Sequence, residues 1–372
     1  NDRLLLIGDK AQLPPVGEEE SPALHAAMLE GYGLKVYECD LNEVLRQSEE
    51  SGILYNATMI RQMITHDDIT QLPKIHFAGY SDIKPMPGAE LIEALADSYH
   101  HVGLDDTIVV TRSNKRANIF NQGIRNMVLD REEELSQGDI LMIVKNNYYW
   151  MEEERKKLSE ERRVKSEETA FGGRRESQFN SLANLKVPSS NLKVQSNHTV
   201  QSSKFQVQSN EIPAFLANGD RAKVLKVRRR IDLYGFRFAT LLLQFPDYDN
   251  YELEATVLLD TLTSEAPALT HEQQEQLFHQ IEEDYQDIPL KADRMKAIRQ
   301  DQFFNALQVK FAYAVTCHKA QGGQWAHVYV DQGYMTDDML NPDYIHWLYT
   351  AFTRATEMLY LVNWPETQTA LE

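Results

Sequence analysis

Short, uninterrupted apolar runs recur along the chain, and the segments between them carry apolar residues at helical spacing. Leu4-Leu5-Leu6-Ile7 ends at Gly8-Asp9, and Thr107-Ile108-Val109-Val110 leads into Thr111-Arg112-Ser113-Asn114 and a helix through Met127. Val309 to Val315, Val328-Tyr329-Val330 and Met358 to Val362 read the same way near the C-terminus. Runs without polar alternation suit strands of a parallel sheet covered on both faces. Lys35 to Cys39 predicts a further strand. Ser21-Pro22 starts a helix through about Glu30, stopped by Gly31 and Gly33, and a longer helical segment spans about Asn42 to Ile64. Strands alternating with helices predict an α/β fold. A chain seldom opens inside a covered sheet, so sequence upstream of Asn1 is expected to have been removed.

From about Leu135 the pattern changes. Gly138-Asp139 precedes the run Ile140 to Val144, Asn218-Gly219-Asp220 precedes Ala222 to Val227, and Phe236 to Gln244 alternates. Asn-Gly is a tight-turn signal between strands. Together these predict a small antiparallel β-unit inserted into the α/β unit. Inside it, Met151 to Glu168 is almost wholly charged and reads as a solvated helix. Residues 169–210 are rich in Ser, Asn, Gln and Lys, with Val-Gln-Ser-Asn at 194–197 and again at 207–210, which reads as a weakly ordered polar insertion. A polar helical stretch over His271 to Gln302 follows, and then the α/β texture returns.

Composition narrows the classes. No run approaches the roughly 18 apolar residues of a membrane span, and Asn1 to Lys10 lacks a signal-peptide pattern. Two cysteines, Cys39 and Cys317, are too few for a disulfide framework or a cysteine zinc site and fit a reducing cytoplasm. A net charge of −18 speaks against a protein that simply coats nucleic acid, because such affinity comes from Lys and Arg. A protein gripping one strand in a channel needs only local positive charge.

Four stretches carry chemistry. In Gly8-Asp9-Lys10-Ala11-Gln12-Leu13-Pro14-Pro15-Val16-Gly17, the Gln12 amide at a sheet mouth suits a terminal phosphate or its attacking water, and two prolines stiffen the loop. In Glu43-Val44-Leu45-Arg46-Gln47, Arg46 near a helix start opposes the helix dipole unless it reaches a phosphate. In Thr316-Cys317-His318-Lys319-Ala320-Gln321-Gly322-Gly323, hydroxyl, imidazole and ammonium donors share one strand-to-helix turn, a phosphate-backbone grip. In Tyr349-Thr350-Ala351-Phe352-Thr353-Arg354-Ala355, one arginine stands among small and apolar neighbours. Each alone also reads as an ordinary turn, surface arginine or salt-bridged helix.

In order, these stretches resemble the later motifs of superfamily 1 DNA helicases, in the RecD-like (Dda-like) branch. The resemblance covers most of the chain outside roughly 151–210. It implies Gln12 as a γ-phosphate contact that links nucleotide state to DNA grip, and Arg46 as a second nucleotide contact. It implies Thr316, His318 and Lys319 at the DNA backbone, Gln321 at the domain interface, and Arg354 as the arginine finger. Thr111 and Asn114 fall in a stretch similar to a DNA-facing loop of the second motor domain. The cofactor implied is ATP with Mg, held mostly by a preceding domain. The partners implied are single-stranded DNA and a duplex junction, with no membrane.

The departures bear on activity. The phosphate loop G-x-x-x-x-G-K-[ST] occurs nowhere in the 372 residues, nor does the Asp-Glu pair that holds Mg. Asp9 is no substitute, and Gln324 stands where some relatives carry Glu. The fold expected is therefore a remnant of a first RecA-like motor domain at 1–33, then a second one built from 34–133 and 300–372. An SH3-like antiparallel barrel at 134–299, with its polar insertion at about 151–210, interrupts the second. The intact protein is expected to be a cytoplasmic ATP-dependent helicase of DNA repair and recombination, translocating 5′→3′ along single-stranded DNA, and the chain by itself ATPase-inactive. Two alternatives stay open: a motorless nucleic-acid-binding or assembly protein, and the helicase subunit of an exonuclease V-like complex with a nuclease partner.

Overall fold

The computed structural model describes residues 3–39, 50–66, 69–161, 163–164 and 213–370. Within them the strands divide between two sheets. The first is five-stranded and parallel, built from β1 (Ile83–Met86), β2 (Thr107–Thr111), β8 (Ala314–Thr316), β9 (Trp325–Asp331) and β10 (Ala355–Val362) in the order β1-β10-β9-β2-β8. The second is a closed barrel of β3 (Ile140–Ile143), β4 (Arg221–Leu233), β5 (Phe236–Phe245), β6 (Tyr251–Leu258) and β7 (Leu307–Phe311). All five residues of β2 are buried, as expected for a central parallel strand flanked by β9 and β8.

Helices cover the parallel sheet. α1 (Ala26–Gly31) lies in the N-terminal segment. α2 (Gly52–Thr65) packs on α9 (Pro342–Phe352), and α3 (Leu91–His101) and α4 (Asn114–Gly123) follow β1 and β2. Polar side chains set their starts: Ser51 accepts from the Leu54 amide, Ser113 from the Arg116 amide, and Asn341 from the Tyr344 amide with Pro342 in the first turn. α4 runs on into a π-turn over Ile124–Val128. α5, described over 149–161, follows β3, and α6 (His271–Asp284) and α7 (Lys291–Arg299) form a satellite core with Phe236, Phe238 and Leu258. Of the charged helix read over Met151 to Glu168, residues 165–168 lie outside the described residues, as do the Val-Gln-Ser-Asn repeats.

β4 and β5 form a hairpin whose two-residue turn, Tyr234 (φ 57°) and Gly235 (φ 75°), has the left-handed conformation that matches strand twist. The chain enters the barrel after α4 and leaves it between β7 and β8, through Ala312 and Tyr313. One buried carboxylate holds both crossings. Asp139 accepts from Arg125 Nε (3.1 Å) and Nη2 (3.0 Å), Arg131 Nη1 (2.9 Å), the Tyr313 hydroxyl (2.9 Å) and the Ser136 amide (2.7 Å). The Arg125 guanidinium also stacks 4.4 Å from the centroid of the Phe311 ring on β7.

Several expectations are corrected. Leu4 to Ile7 is not a strand: its residues are 39 to 84% exposed, with no strand beside them among the described residues. A strand of a parallel sheet exists only through its neighbours, so apolar character alone did not make one. Lys35 to Cys39 is likewise unpaired and largely exposed. The helix from Ser21 is broken at His25, whose extended backbone (φ −104°, ψ 100°) separates a 3-10 turn from α1. Of the long helix expected over about Asn42 to Ile64, α2 forms Gly52–Thr65; residues 40–49, Arg46 included, lie outside the described residues. Val309 to Val315 is split, because β7 pairs with β3 and β6 in the barrel while β8 joins the parallel sheet. β1, α3 and β6 were not anticipated. No helix among the described residues is long and apolar enough to cross a membrane.

Candidate functional site

The turn between β8 and β9 is built so that one short helix, α8 (Cys317–Ala320), has two faces. Cys317 and Ala320 are buried, and the Cys317 thiol reaches the Trp347 carbonyl on α9 at 3.6 Å. Burial pushes that thiol up to about 12, so it stays protonated and unreactive. His318 and Lys319 consequently face outward. After α8 the chain turns through Gly322 (φ 83°), a left-handed position that favours glycine. At Gly323 a Cβ would run into the Trp325 ring, so the main chain approaches the indole as only glycine can.

Arg354 closes this turn from beneath. It is 4% exposed, and its guanidinium donates to the Thr350 carbonyl, the Gly323 carbonyl and the Thr353 hydroxyl, each at 3.0 Å. The arginine that sequence places as a finger is, in this conformation, a clamp on the Gly322–Gly323 turn.

The N-terminal loop docks on the same helix. The Leu13 amide donates to Thr350 Oγ1 (2.8 Å), His346 Nδ1 lies 2.9 Å from the Ala11 carbonyl, and Gln321 Nε2 donates to the Leu13 carbonyl (2.7 Å). Asp9 accepts from Arg61 Nη1 at 2.8 and 2.9 Å and from the Tyr349 hydroxyl at 3.1 Å. Ala11 and Leu13 are buried by these contacts, and Gln12 between them is half-buried beside a small recess shared with Asp9, Glu19 and Glu20. Thr350 is the common node: its hydroxyl holds the loop next to Gln12 and its carbonyl holds Arg354. Arg61 was not anticipated, because its partner Asp9 lies 52 positions away and only the α2–α9 packing brings them together.

The outer face of α8 opens on a cleft of about 830 Å³. Pro14 and Pro15 form one rim, His318, Lys319 and Gln321 to Trp325 one wall, and the barrel residues Met142, Asn218, Gly219 and Arg221 the wall opposite. The Lys319 ammonium bonds the Asn218 side chain across the cleft mouth. Burial holds the pKa of Lys319 below the usual lysine range and that of His318 below the usual histidine value, the latter against an opposing pull from Asp343. Asp105, Asp106 and Asp247 also line the cleft, so its positive charge is confined to Lys319 and Arg221.

The structure thus brings Gln12, Gln321 and Arg354 together through Leu13, Thr350 and Gly323, and gives His318 and Lys319 a shared cleft with the barrel. Thr316 is half-buried at the head of α8. Thr111 is fully buried, with its hydroxyl donated to the Ser113 carbonyl (3.1 Å) and the Val315 carbonyl (3.3 Å). Asn114, half-buried in the first turn of α4, lies away from the cleft lining. Among the described residues no cluster of His, Cys, Asp and Glu is arranged to hold a cation, and none is assigned to Mg here.

Comparisons bear on the same segment. Residues 311–362 match the UvrD-like helicase C-terminal domain. No curated protein matches the chain. Among solved structures, the Pif1 helicase from Candida albicans is similar at 12% identity with a TM-score of 0.36, over 98% of this chain and 64% of that one. This chain therefore spans less than two thirds of that protein's length. The turn bearing Thr316, His318, Lys319 and Gln321, together with Arg354, lies within the segment that is similar to this domain.

Proposed function

We propose that the chain is the later part of an ATP-dependent DNA helicase that moves along single-stranded DNA and separates duplex ahead. In this reading residues 34–133 and the part of 300–372 that follows β7 form its second motor domain of the RecA-like kind. Residues 1–33 belong to a first motor domain, and the inserted barrel, of the SH3-like kind, includes β7. The 5′→3′ direction is taken from the resemblance to the RecD-like branch, as are the cytoplasmic setting and a role in repair and recombination.

The observation that carries the reading is the double attachment of one turn. On one side α8 presents His318 and Lys319 to the cleft; on the other, Gln321 grips the Leu13 carbonyl beside Gln12. A shift of the Gln12 loop by a fraction of an ångström pulls Gln321, and with it the His318 imidazole and the Lys319 ammonium that would hold phosphates. Pro14 and Pro15 make the loop stiff enough to transmit such a shift. ATP, when bound between motor domains, supplies the triphosphate and the free energy of its hydrolysis. Gln12 and Arg46 are the chain's candidate contacts to it. Arg354 would serve there only after exchanging the Gly323 carbonyl for a phosphate oxygen, an exchange that frees the Gly322–Gly323 turn to move. The Mg-holding residues are not among those described, so the chain alone is expected to show no ATP turnover, and measurable turnover would contradict the reading.

Photo-crosslinking tests the cleft. A single-stranded oligonucleotide with a photoreactive base should attach to peptides covering 316–325 and 217–221. Attachment confined to other surfaces overturns the assignment.

A further inference from the structure

β4 begins at the cleft and leads away from it. Arg221 lines the cleft wall, and the strand continues to Leu233. The β3 side of β4 is bonded from Arg221 to Val224, where the Gly138 amide donates to the Val224 carbonyl (2.7 Å) and the Val224 amide to the Asp139 carbonyl (2.8 Å); beyond that point β4 pairs with β5 alone. Among the described residues, β4 from Leu225 onward therefore has no strand partner on that side, with the Arg230 guanidinium reaching back to the Leu135 carbonyl at 2.7 Å. From 221 to 230 the sequence reads Arg-Ala-Lys-Val-Leu-Lys-Val-Arg-Arg-Arg, six cations without one carboxylate, in a chain whose net charge is −18. Register shifts between Val224 and Lys226 and between Val227 and Arg229 interrupt the strand's alternation, and Lys226, Arg228, Arg229 and Arg230 are all exposed.

Carboxylates stand near some of these cations. Arg221 lies 3.9 Å from Asp105, Arg228 3.2 Å from Glu254 and Arg230 3.4 Å from Glu133. The carboxylate in each pair is exposed, so the Arg228 and Arg230 ion pairs hold weakly and yield to a denser anion, whereas Arg221 is mostly buried and fixed by the Asp105 carbonyl at 2.8 Å, at the cleft end of the run. Lys223, Lys226 and Arg229 have no ion pair among the described residues. A plainer reading is that charge on an unpaired edge discourages sheet-to-sheet association. Lysine serves that role in particular, but this run places six cations and no carboxylate in ten residues of an acidic protein and leads into the cleft.

We infer that the β4 edge from Arg221 to Arg230 is a phosphate track for duplex DNA approaching the cleft. The inference rests on the nucleic-acid reading of the cleft given above. Nine residue steps at about 3.3 Å make the track about 30 Å long, close to the axial length of nine base pairs at about 3.4 Å each. Duplex is favoured over single strand because no aromatic residue lies between 221 and 230 for an unstacked base to rest on. Cations alone suffice for paired strands, whose phosphates are what they offer to a surface outside the grooves.

The test uses the full chain with Lys226→Glu/Arg229→Glu, which keeps the edge charged and so preserves any protection against association. Binding is followed by fluorescence anisotropy across a salt series on a forked DNA and on its single-stranded tail alone. The track requires at least a tenfold loss on the fork at low salt, a salt slope shallower by about 2 for two lost phosphate contacts at about 0.9 each, and less than a twofold change on the tail. A Lys226→Gln/Arg229→Gln pair should reduce the slope equally. Fork binding unchanged from wild type, or an equal loss on both substrates, overturns the track while leaving the cleft assignment standing. Failure of the wild-type chain to bind either DNA overturns both.

Discussion

Replacing Asp139 is the sharpest probe of how the barrel is held on the parallel sheet. The carboxylate is fully buried and accepts from two arginines, a tyrosine and a backbone amide, while its own carbonyl accepts from the Val224 amide at 2.8 Å. The Tyr313 hydroxyl is itself tied to Arg131 (2.6 Å) and to the Ile140 amide (3.2 Å), and burial followed by the Asp139 charge pushes its pKa upward, so it remains a donor. Asp139→Asn keeps the shape and one acceptor oxygen but turns an amide NH₂ toward guanidinium donors. Hydrogen bonds to a buried charge are worth about 1.5–3 kcal/mol each, and removing one partner of a buried ion pair costs about 3–5 kcal/mol. A loss of about 3 kcal/mol follows, which at about 1–3 kcal/mol per molar urea lowers the unfolding midpoint by about 1 M or more. Equilibrium urea unfolding, read by fluorescence and circular dichroism, measures it. Arg125→Met and Arg131→Met together with Asp139→Leu should recover part of the loss, since replacing both cations along with the carboxylate leaves no orphan charge. A shift below about 0.3 M for Asp139→Asn, or a triple variant worse than the three singles combined, refutes the reasoning.

Three further outcomes follow from the same geometry. Lys310 on β7 is buried, its ammonium held by the Thr261 carbonyl at 3.3 Å and by the Ser264 carbonyl, and burial lowers its pKa from 10.5 to about 8. Between about 8 and 10.5 the unfolded chain binds a proton that the folded one does not, so in that window folding gains stability as pH rises; Lys310→Met should lack this gain, and identical pH slopes for the two proteins in urea unfolding would exclude it. Arg354→Ala strips donors from two carbonyls and a hydroxyl and should lower stability by about 2 kcal/mol or more, whereas an unchanged midpoint would mean that the guanidinium is not a clamp in solution. Thr350→Val removes the acceptor for the Leu13 amide, so hydrogen exchange in the 9–15 loop should quicken severalfold; exchange as slow as in wild type counts against the docking described.

The parts of the fold that could be read in advance are those in which one local pattern sufficed. β2, β9 and β10 are continuous apolar runs because both their faces are covered, and the β4–β5 pair declared itself by alternation. β1 escaped notice because it is an edge strand, Ile83-Lys84-Pro85-Met86, paired only with β10 and interrupted by proline. Leu4 to Ile7 misled for the complementary reason: an apolar run states what a segment can tolerate, not what lies beside it. In the candidate site, Lys319, His318, Gln321 and Gln12 were legible as unusual donors in glycine- or proline-rich turns. The Arg354–Gly323 contact and the Asp9–Arg61–Tyr349 cluster were not, since they join residues 31 to 340 positions apart that only tertiary packing brings together.

The central claim, that the α8 turn and the barrel wall enclose a strand of nucleic acid, is tested most directly by the salt dependence of single-stranded DNA binding to the chain and to Lys319→Ala. The account requires binding by wild type that weakens with salt, and a slope shallower by about 0.7 in the variant, the value of one phosphate contact on a single strand. No binding at low salt, or the same slope in both proteins, contradicts it.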